Sequence, residues 1–269
     1  MLRNKEGKVE FTAFTVWYGE GNKIYPITNV NAKILNIGTM WKKITIEVFG
    51  LSGGHPKGKQ AGTVMAMATN GNPKRFGDQF YGLISGQSGV DATYLNKLVQ
   101  ESEQNAFDVA AALQWATEKF VRGILGDLLQ KYDYENICFS GGVALNCVMM
   151  GKVQEWFPWT NIFVDPIPHD GGLALGGPRY VWHHMLNNPR IKWEDNASPY
   201  LGQTYSAESI RQAIDKSYDK INLSVVTDDD ILTLLDNQKI IAVYGGGSES
   251  GRRALGNRSI LADPRSNDM

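Results

Sequence analysis

Two short stretches dictate what this chain can become: Ser140-Gly141-Gly142-Val143-Ala144-Leu145-Asn146 and His169-Asp170-Gly171-Gly172-Leu173-Ala174-Leu175-Gly176. Each leaves an apolar, β-like run and enters a helix-like run, which is how a parallel α/β protein presents backbone amides to a phosphate. The pattern points to a nucleotide-handling α/β protein.

A chain of 269 residues is long enough to bury a sizeable core, in one large or two smaller domains. Its 27 basic and 28 acidic side chains are interspersed, for a net charge of −1. That balance gives no electrostatic case for nucleic acid or an acidic membrane and favours a small-molecule partner. Cys138 and Cys147 have neither metal-ligand spacing nor a disulfide-rich context, and are expected to be buried, reduced thiols. No apolar stretch approaches the roughly 20 residues that span a bilayer, and residues 1–6 lead into charge, so the expected compartment is the cytoplasm.

Residues 9–17 and 23–27 are rich in β-branched and aromatic types around a Gly-Glu-Gly-Asn turn and predict a hairpin. Residues 36–49 carry apolar side chains near helical spacing, and 53–59 break that pattern as a loop. Residues 91–132 predict long helical structure packed on a sheet. Strand 136–139, helix 143–156, strand 161–164 and helix 172–186 then alternate, which implies a parallel or mostly parallel sheet. After a linker over 187–205, helix 206–216, strand 222–226, helix 228–236 and strand 239–244 are expected.

Three segments could carry chemistry. Gly141 and Gly142 permit close backbone approach to an anion, and Asn146 faces the same crevice; a ligand-free strand-to-helix turn is the other reading. Asp170 could cap its helix or hold a hard divalent cation beside phosphate oxygens, with His169 either packed or in contact with a ligand. The glycine-rich tail with Arg252, Arg253 and Arg258 suits bidentate capture of a phosphate or carboxyl group, or forms a solvated basic turn. His183 and His184 read as packing residues, and Met65, Met67, Met149 and Met150 as core filler.

These motifs together resemble the ATP-dependent O-carbamoyltransferases of nodulation-factor and antibiotic biosynthesis. Residues 140–146 are similar to the family's S-G-G-V-A-x-N element and 168–176 to its x-D-x-G-x-A-x-G element. Residues 247–265 resemble its G-x-x-E-x-G-x-R-A-L-G-x-R-S-I-L-x-D-P-R signature, the most specific of the three. Weaker matches lie at Asn36-Ile37-Gly38, residues 59–68 and Pro199-Tyr200-Leu201-Gly202.

The resemblance implies an α/β fold: an actin-like ATPase or sugar-kinase-type (ribonuclease H-like) lobe over residues 1–200, then over 201–269 the start of a second α/β domain resembling threonylcarbamoyl-adenylate synthase. It implies that carbamoyl phosphate and ATP yield carbamoyl-adenylate, whose carbamoyl group passes to a hydroxyl of a sugar or similar acceptor. Carried over residue by residue, Ser140, Gly141, Gly142, Val143, Asn146 and Gly171 would bind the nucleotide. Asp170 would ligate a divalent metal, Fe2+ or Mg2+, and Arg253, Arg258 and Ser259 would bind carbamoyl phosphate or another anion. The family's H-x-x-x-H metal motif is absent, and its D-G-x-G-E-like element corresponds to Trp17-Tyr18-Gly19-Glu20, which lacks the Asp. Ser250 and Arg252 replace the usual Phe and Pro. The chain is therefore expected to be a partial or split form, completed by a complementary polypeptide. A sugar- or acetate-kinase-like phosphotransferase and a non-catalytic nucleotide-binding remnant are the alternatives.

Overall fold

The structure is a computed structural model that describes residues 2–3, 9–10, 12–31, 37–53, 60–191, 199–217, 224–251 and 254–266. It divides into two compact units, residues 1–191 and 192–269.

The first unit opens with the short pair β1 (Leu2–Arg3) and β2 (Val9–Glu10), followed by the expected hairpin of β3 (Thr12–Glu20) and β4 (Lys23–Asn31). Gly21, at φ 55°, supplies the positive dihedral that a two-residue hairpin turn requires. The register slips between Val16 and Trp17, opposite Pro26, whose ring nitrogen cannot donate to the ladder. Tyr18 of β3 stacks on Tyr134 with centroids 5.4 Å apart, and Tyr134 on Tyr132 at 5.7 Å. Burial, then the nearby Glu20 carboxylate, raises the Tyr18 hydroxyl above its ordinary pKa.

The predicted helix over 36–49 is α1 (Ile37–Lys43) running into a π-helical turn, Ile44–Val48. The loop expected over 53–59 lies, apart from Gly53, outside the described residues. Then come α2 (Ala61–Met67), α3 (Gly77–Ile84), α4 (Ala92–Glu101) and α5 (Glu103–Lys131). The long helical stretch breaks at Ser102, which is extended (ψ 151°) while its hydroxyl accepts the Asn105 amide and caps α5. At 29 residues α5 is about 43 Å long. Its middle turns are buried nearly all round, with Val109, Ala110, Ala112, Leu113 and Ala116 packed among Val64, Phe80, Leu83, Ile84, Leu95 and Leu98. Alanine lets the neighbouring helices approach closely, so the main core of this unit is helical rather than a helix on a sheet. Toward the C-terminal end of α5, Leu125 joins Val153, Phe157, Phe139 and Ile162 of the strand–helix–strand segment over residues 136–164. Met65 and Met149 are buried and Met67 and Met150 half-buried, as core filler should be.

The parallel element is β5 (Asn136–Phe139) paired with β6 (Asn161–Val164), Asn136 opposite Asn161. A 3-10 turn (Gly142–Leu145) and α6 (Cys147–Trp156) follow β5. After β6 come a 3-10 turn (Asp170–Gly172), α7 (Leu173–Arg179) and a π-helical turn (Tyr180–Met185). The alternation holds, but the parallel sheet has two strands, and the other described strand pairs are antiparallel. Hairpins close locally, whereas each parallel pairing needs a crossover, and only the β5 to β6 connection supplies one here.

The second unit holds α8 (Ala207–Asp215), α9 (Asp228–Asp236), and β7 (Ile241–Tyr244) paired antiparallel with β8 (Arg258–Leu261). The strand expected over 222–226 does not form over its described residues 224–226. Val225 is 100% exposed, with no neighbouring strand to cover it, and the partner of β7 is β8, which the sequence reading did not foresee. Cys138 and Cys147, expected inside, are free and exposed, because their side chains project from the outer faces of β5 and α6.

A Cβ at Gly71 would fall inside the Phe107 carbonyl of α5 and 2.8 Å from the Ala111 methyl. One at Gly123, on the exposed part of α5, meets nothing within 4 Å. Gly71→Ala should therefore cost about 2 kcal/mol or more through overpacking. Gly123→Ala should add about 0.5–1 kcal/mol through helix propensity. Urea unfolding of the two variants, with opposite shifts of midpoint, checks both.

Candidate functional site

The two glycine turns sit side by side because their strands are hydrogen-bonded neighbours running the same way. The Gly141 amide donates to the Pro168 carbonyl at 2.5 Å, and the Ser140 hydroxyl reaches the same oxygen at 3.4 Å. Gly141 takes φ 97°, which a side chain would disfavour. Ser140, Gly141 and Gly142 are exposed and Val143 half-buried, and a Cβ at Gly142 would meet nothing within 4 Å. The first amides of the 3-10 turn have no acceptor within it, as at any helical start, and open toward solvent on this edge.

Asn146 ends the turn and is heavily engaged. Its Oδ1 accepts from the Met149 amide at 3.0 Å, capping α6, and from Gln114 Nε2 at 3.2 Å, while its Nδ2 donates to Gln114 Oε1 at 2.8 Å. Gln114, buried on α5, also donates to Glu118 Oε1 at 2.7 Å, and Lys152 of α6 closes the chain on both Glu118 oxygens at 2.8 and 2.7 Å. One Nδ2 hydrogen of Asn146 remains for a ligand. Gln114, Glu118 and Lys152 were missed in the sequence reading; polar side chains among the alanines of α5 were the signal that could have found them.

In the second turn the cap is His169 rather than Asp170: its Nδ1 accepts the Gly171 amide at 3.1 Å, and its buried Nε2 has no partner among the described residues. The ring of His169 is half-buried. Asp170 is exposed. A Cβ at Gly172 would clash with the Ile167 carbonyl, and one at Gly171 would lie 2.7 Å from the His169 ring, so tight packing demands both glycines. Among the described residues no three His, Cys, Asp or Glu side chains converge as a metal site would need. Asp170 alone does not make one. His183 and His184 pack as expected, His184 stacked on Tyr180 with centroids 4.5 Å apart.

In the second unit the signature segment is organised by a carboxylate. Glu249, 5% exposed, accepts the amides of Leu255 and Asn257 at 2.9 Å and of Arg258 at 3.1 Å. The Arg258 guanidinium bends back onto the same residue, reaching its carbonyl at 2.7 Å and its side chain at 3.4 Å. Ser259 accepts the Gly256 amide at 3.0 Å, and Arg253 lies outside the described residues. Gly202 and Gly247 lack side chains where the 199–202 and 247–250 segments touch, joined by Gly202 amide to Ser248 carbonyl at 2.9 Å and Ser250 amide to Pro199 carbonyl at 2.7 Å. Asp263 is held by Arg265 and by Gln238 at 2.8 Å, and Arg265 also pairs with Asp236 at 2.5 Å. Hydrogen bonds, first from the Leu255 amide, lower the Glu249 carboxyl to about 2, and those of Arg265 do the same for Asp263. Glu249 and Asp263 were not singled out in the sequence reading.

The chain belongs to the carbamoyltransferase family: the carbamoyltransferase N-terminus matches residues 7–178 and the carbamoyltransferase C-terminus residues 232–269. An uncharacterized protein, sll1178, of Synechocystis is 27% identical over 98% of this chain and 47% of its own length. Nodulation protein NolO of Bradyrhizobium diazoefficiens is 32% identical over 75% of this chain and 40% of its own. Nodulation protein NolNO of Sinorhizobium fredii is 31% identical over 75% of this chain and 32% of its own. The chain thus spans less than half the length of these relatives. No helix among the described residues is long and apolar enough to cross a membrane.

The folded-state pKa of Glu249 lies below its ordinary 4.5, so the stability it contributes is present above about 4.5 and lost as pH falls through about 2. In amide NMR spectra the Leu255, Asn257 and Arg258 signals should titrate with a midpoint near 2. In Glu249→Gln that titration should vanish.

Proposed function

We propose that this chain carries the adenylate-binding lobe and the opening of the carbamoyl-adenylate-forming domain of an ATP-dependent O-carbamoyltransferase. The observation that carries the reading is the hydrogen bond from Gly141 to Pro168, which brings two glycine turns to one strand edge where a single nucleotide can touch both. The repeated strand, glycine turn and helix (β5 to α6, β6 to α7) suits a lobe of the actin-like, ribonuclease H-like type.

In this reading Ser140, Gly141, Gly142, Val143 and Gly171 line the phosphates, and Asn146 offers its remaining amide hydrogen to the adenosine part. Asp170 would hold a divalent cation, Fe2+ or Mg2+, only with ligands from outside the described residues, supplied by a complementary polypeptide. In the second unit Arg258, its guanidinium fixed by Glu249, would meet carbamoyl phosphate together with Arg253 and Ser259; a cation fixed before the anion arrives reorganises little when charge develops. Transfer then requires that an acceptor hydroxyl oxygen bond the carbamoyl carbon as the carbon–oxygen bond to the adenylate phosphate breaks. AMP leaves with the bonding pair, and the hydroxyl proton passes to solvent or base. The acceptor is a hydroxyl-bearing small molecule.

Gly142 allows a clean test, because the site around its missing Cβ is open. Gly142→Val should leave the melting temperature within about 2 °C and weaken binding of a non-hydrolysable ATP analogue at least about tenfold, or 1.4 kcal/mol, in calorimetric titration. Asn146→Ala should weaken it too, at a cost of about 1 kcal/mol of stability from the lost cap. Equal affinities for wild type and Gly142→Val would overturn the reading.

A further inference from the structure

A cleft is lined by none of the residues assigned to the nucleotide. The tip of the β3–β4 hairpin leans on the helix of α7 and its π-helical extension, enclosing a cleft of about 250 Å³. The walls are tied together by four contacts. Lys23 Nζ donates to the His184 carbonyl, the Ile24 amide to His184 Nδ1 at 3.0 Å, and Asn22 Nδ2 to the Asn188 carbonyl at 2.8 Å, while Tyr25 meets the His184 ring edge-on. A cleft braced in this way is formed before any ligand arrives.

Its chemistry is one-sided. Lys23, Arg179 and Arg190 line it, with both imidazoles of His183 and His184, and no carboxylate is among its described lining residues. Like charges gathered around a concave surface focus a positive potential into it, and an anion relieves their repulsion. Backbone is accessible on two sides, because Gly21 and Gly176 both line the cleft and a Cβ at either would meet nothing within 4 Å. Lys23 uses one of its three ammonium hydrogens on His184 and keeps two, and the fork of Arg190 matches the oxygens of a phosphoryl group. Trp17-Tyr18-Gly19-Glu20, the stretch that fits the family's metal-associated element poorly, ends on this rim through Gly19.

We infer that this cleft is a binding site for a compact oxyanion of the phosphate type, either free or as the phosphoryl end of a small metabolite. It shares no lining residue with those assigned to the nucleotide and does not depend on that reading. A volume of about 250 Å³ accommodates a phosphate or a small phosphomonoester.

Titration of the full chain with inorganic phosphate and, separately, with glycerol 3-phosphate tests the inference, read from backbone amide shifts at Gly19, Gly21, Lys23 and Gly176. Both anions should give saturable shifts, at constant ionic strength, by about 10 mM. Tighter binding of the ester identifies the phosphoryl end of a metabolite, and tighter binding of phosphate the free ion. Lys23→Gln and Arg190→Gln should each weaken binding at least about fivefold, since a charged hydrogen-bonding partner is lost. Gly176→Leu should fill the cleft and abolish it, whereas Gly142→Val should leave it intact. Absence of saturable shifts for both anions, wild-type binding by Lys23→Gln and Arg190→Gln, or shifts confined to residues 140–143 would each overturn the proposal.

Discussion

The middle of α5 is buried nearly all round, so each polar group there needs a partner, and that requirement shapes the first unit. Each unpaired polar group would cost on the order of 1–3 kcal/mol. Asp108, Gln114, Thr117 and Glu118 therefore reach outward to fixed destinations. Thr117 accepts from the Trp41 indole at 2.9 Å and so locates α1. Asp108 accepts the Asn72 amide and the Gln104 and Arg75 side chains; burial would raise its carboxyl, but these bonds prevail and hold it below the usual range. Gln114 and Glu118 point to Asn146 and Lys152, so the helix that forms the core also fixes the end of the first glycine turn. The site is an outcome of satisfying the core.

The parts of this arrangement that rest on local signals were legible in the sequence. Gly21-Asn22 between alternating strands gave the hairpin, and the two glycine turns marked neighbouring strand ends. Signals that depend on distant partners were not legible. β8 exists because β7 lies opposite it. Cys138 and Cys147 have apolar neighbours in sequence, yet which face of a strand or helix is covered is a tertiary matter. In the candidate site the glycines were evident and their supports were not, because Gln114 finds Asn146 across 32 residues of chain.

The second unit follows a different rule. Among its described residues no apolar side chain is buried, and its two most enclosed groups are the carboxylates of Glu249 and Asp263. Order there is electrostatic: backbone amides and arginines converge on two negative centres, and the Gly202–Gly247 contact supplies the close backbone approach. Ile240, Leu232 and Ile260 meanwhile stay exposed at 67, 59 and 76%. Such a unit is specific in its hydrogen bonding and poor in hydrophobic stabilisation.

The stacked tyrosines have a spectroscopic consequence. Tyr18, Tyr134 and Tyr132 form two nearly parallel pairs, at interplanar angles of 19° and 11°, that bridge the hairpin and the segment beyond α5. Rings fixed in a chiral array contribute to near-ultraviolet dichroism, which fades when fixed packing is lost even if helices persist. The hairpin thus carries its own optical reporter, able to register its undocking while the far-ultraviolet signal of the helical core is unchanged.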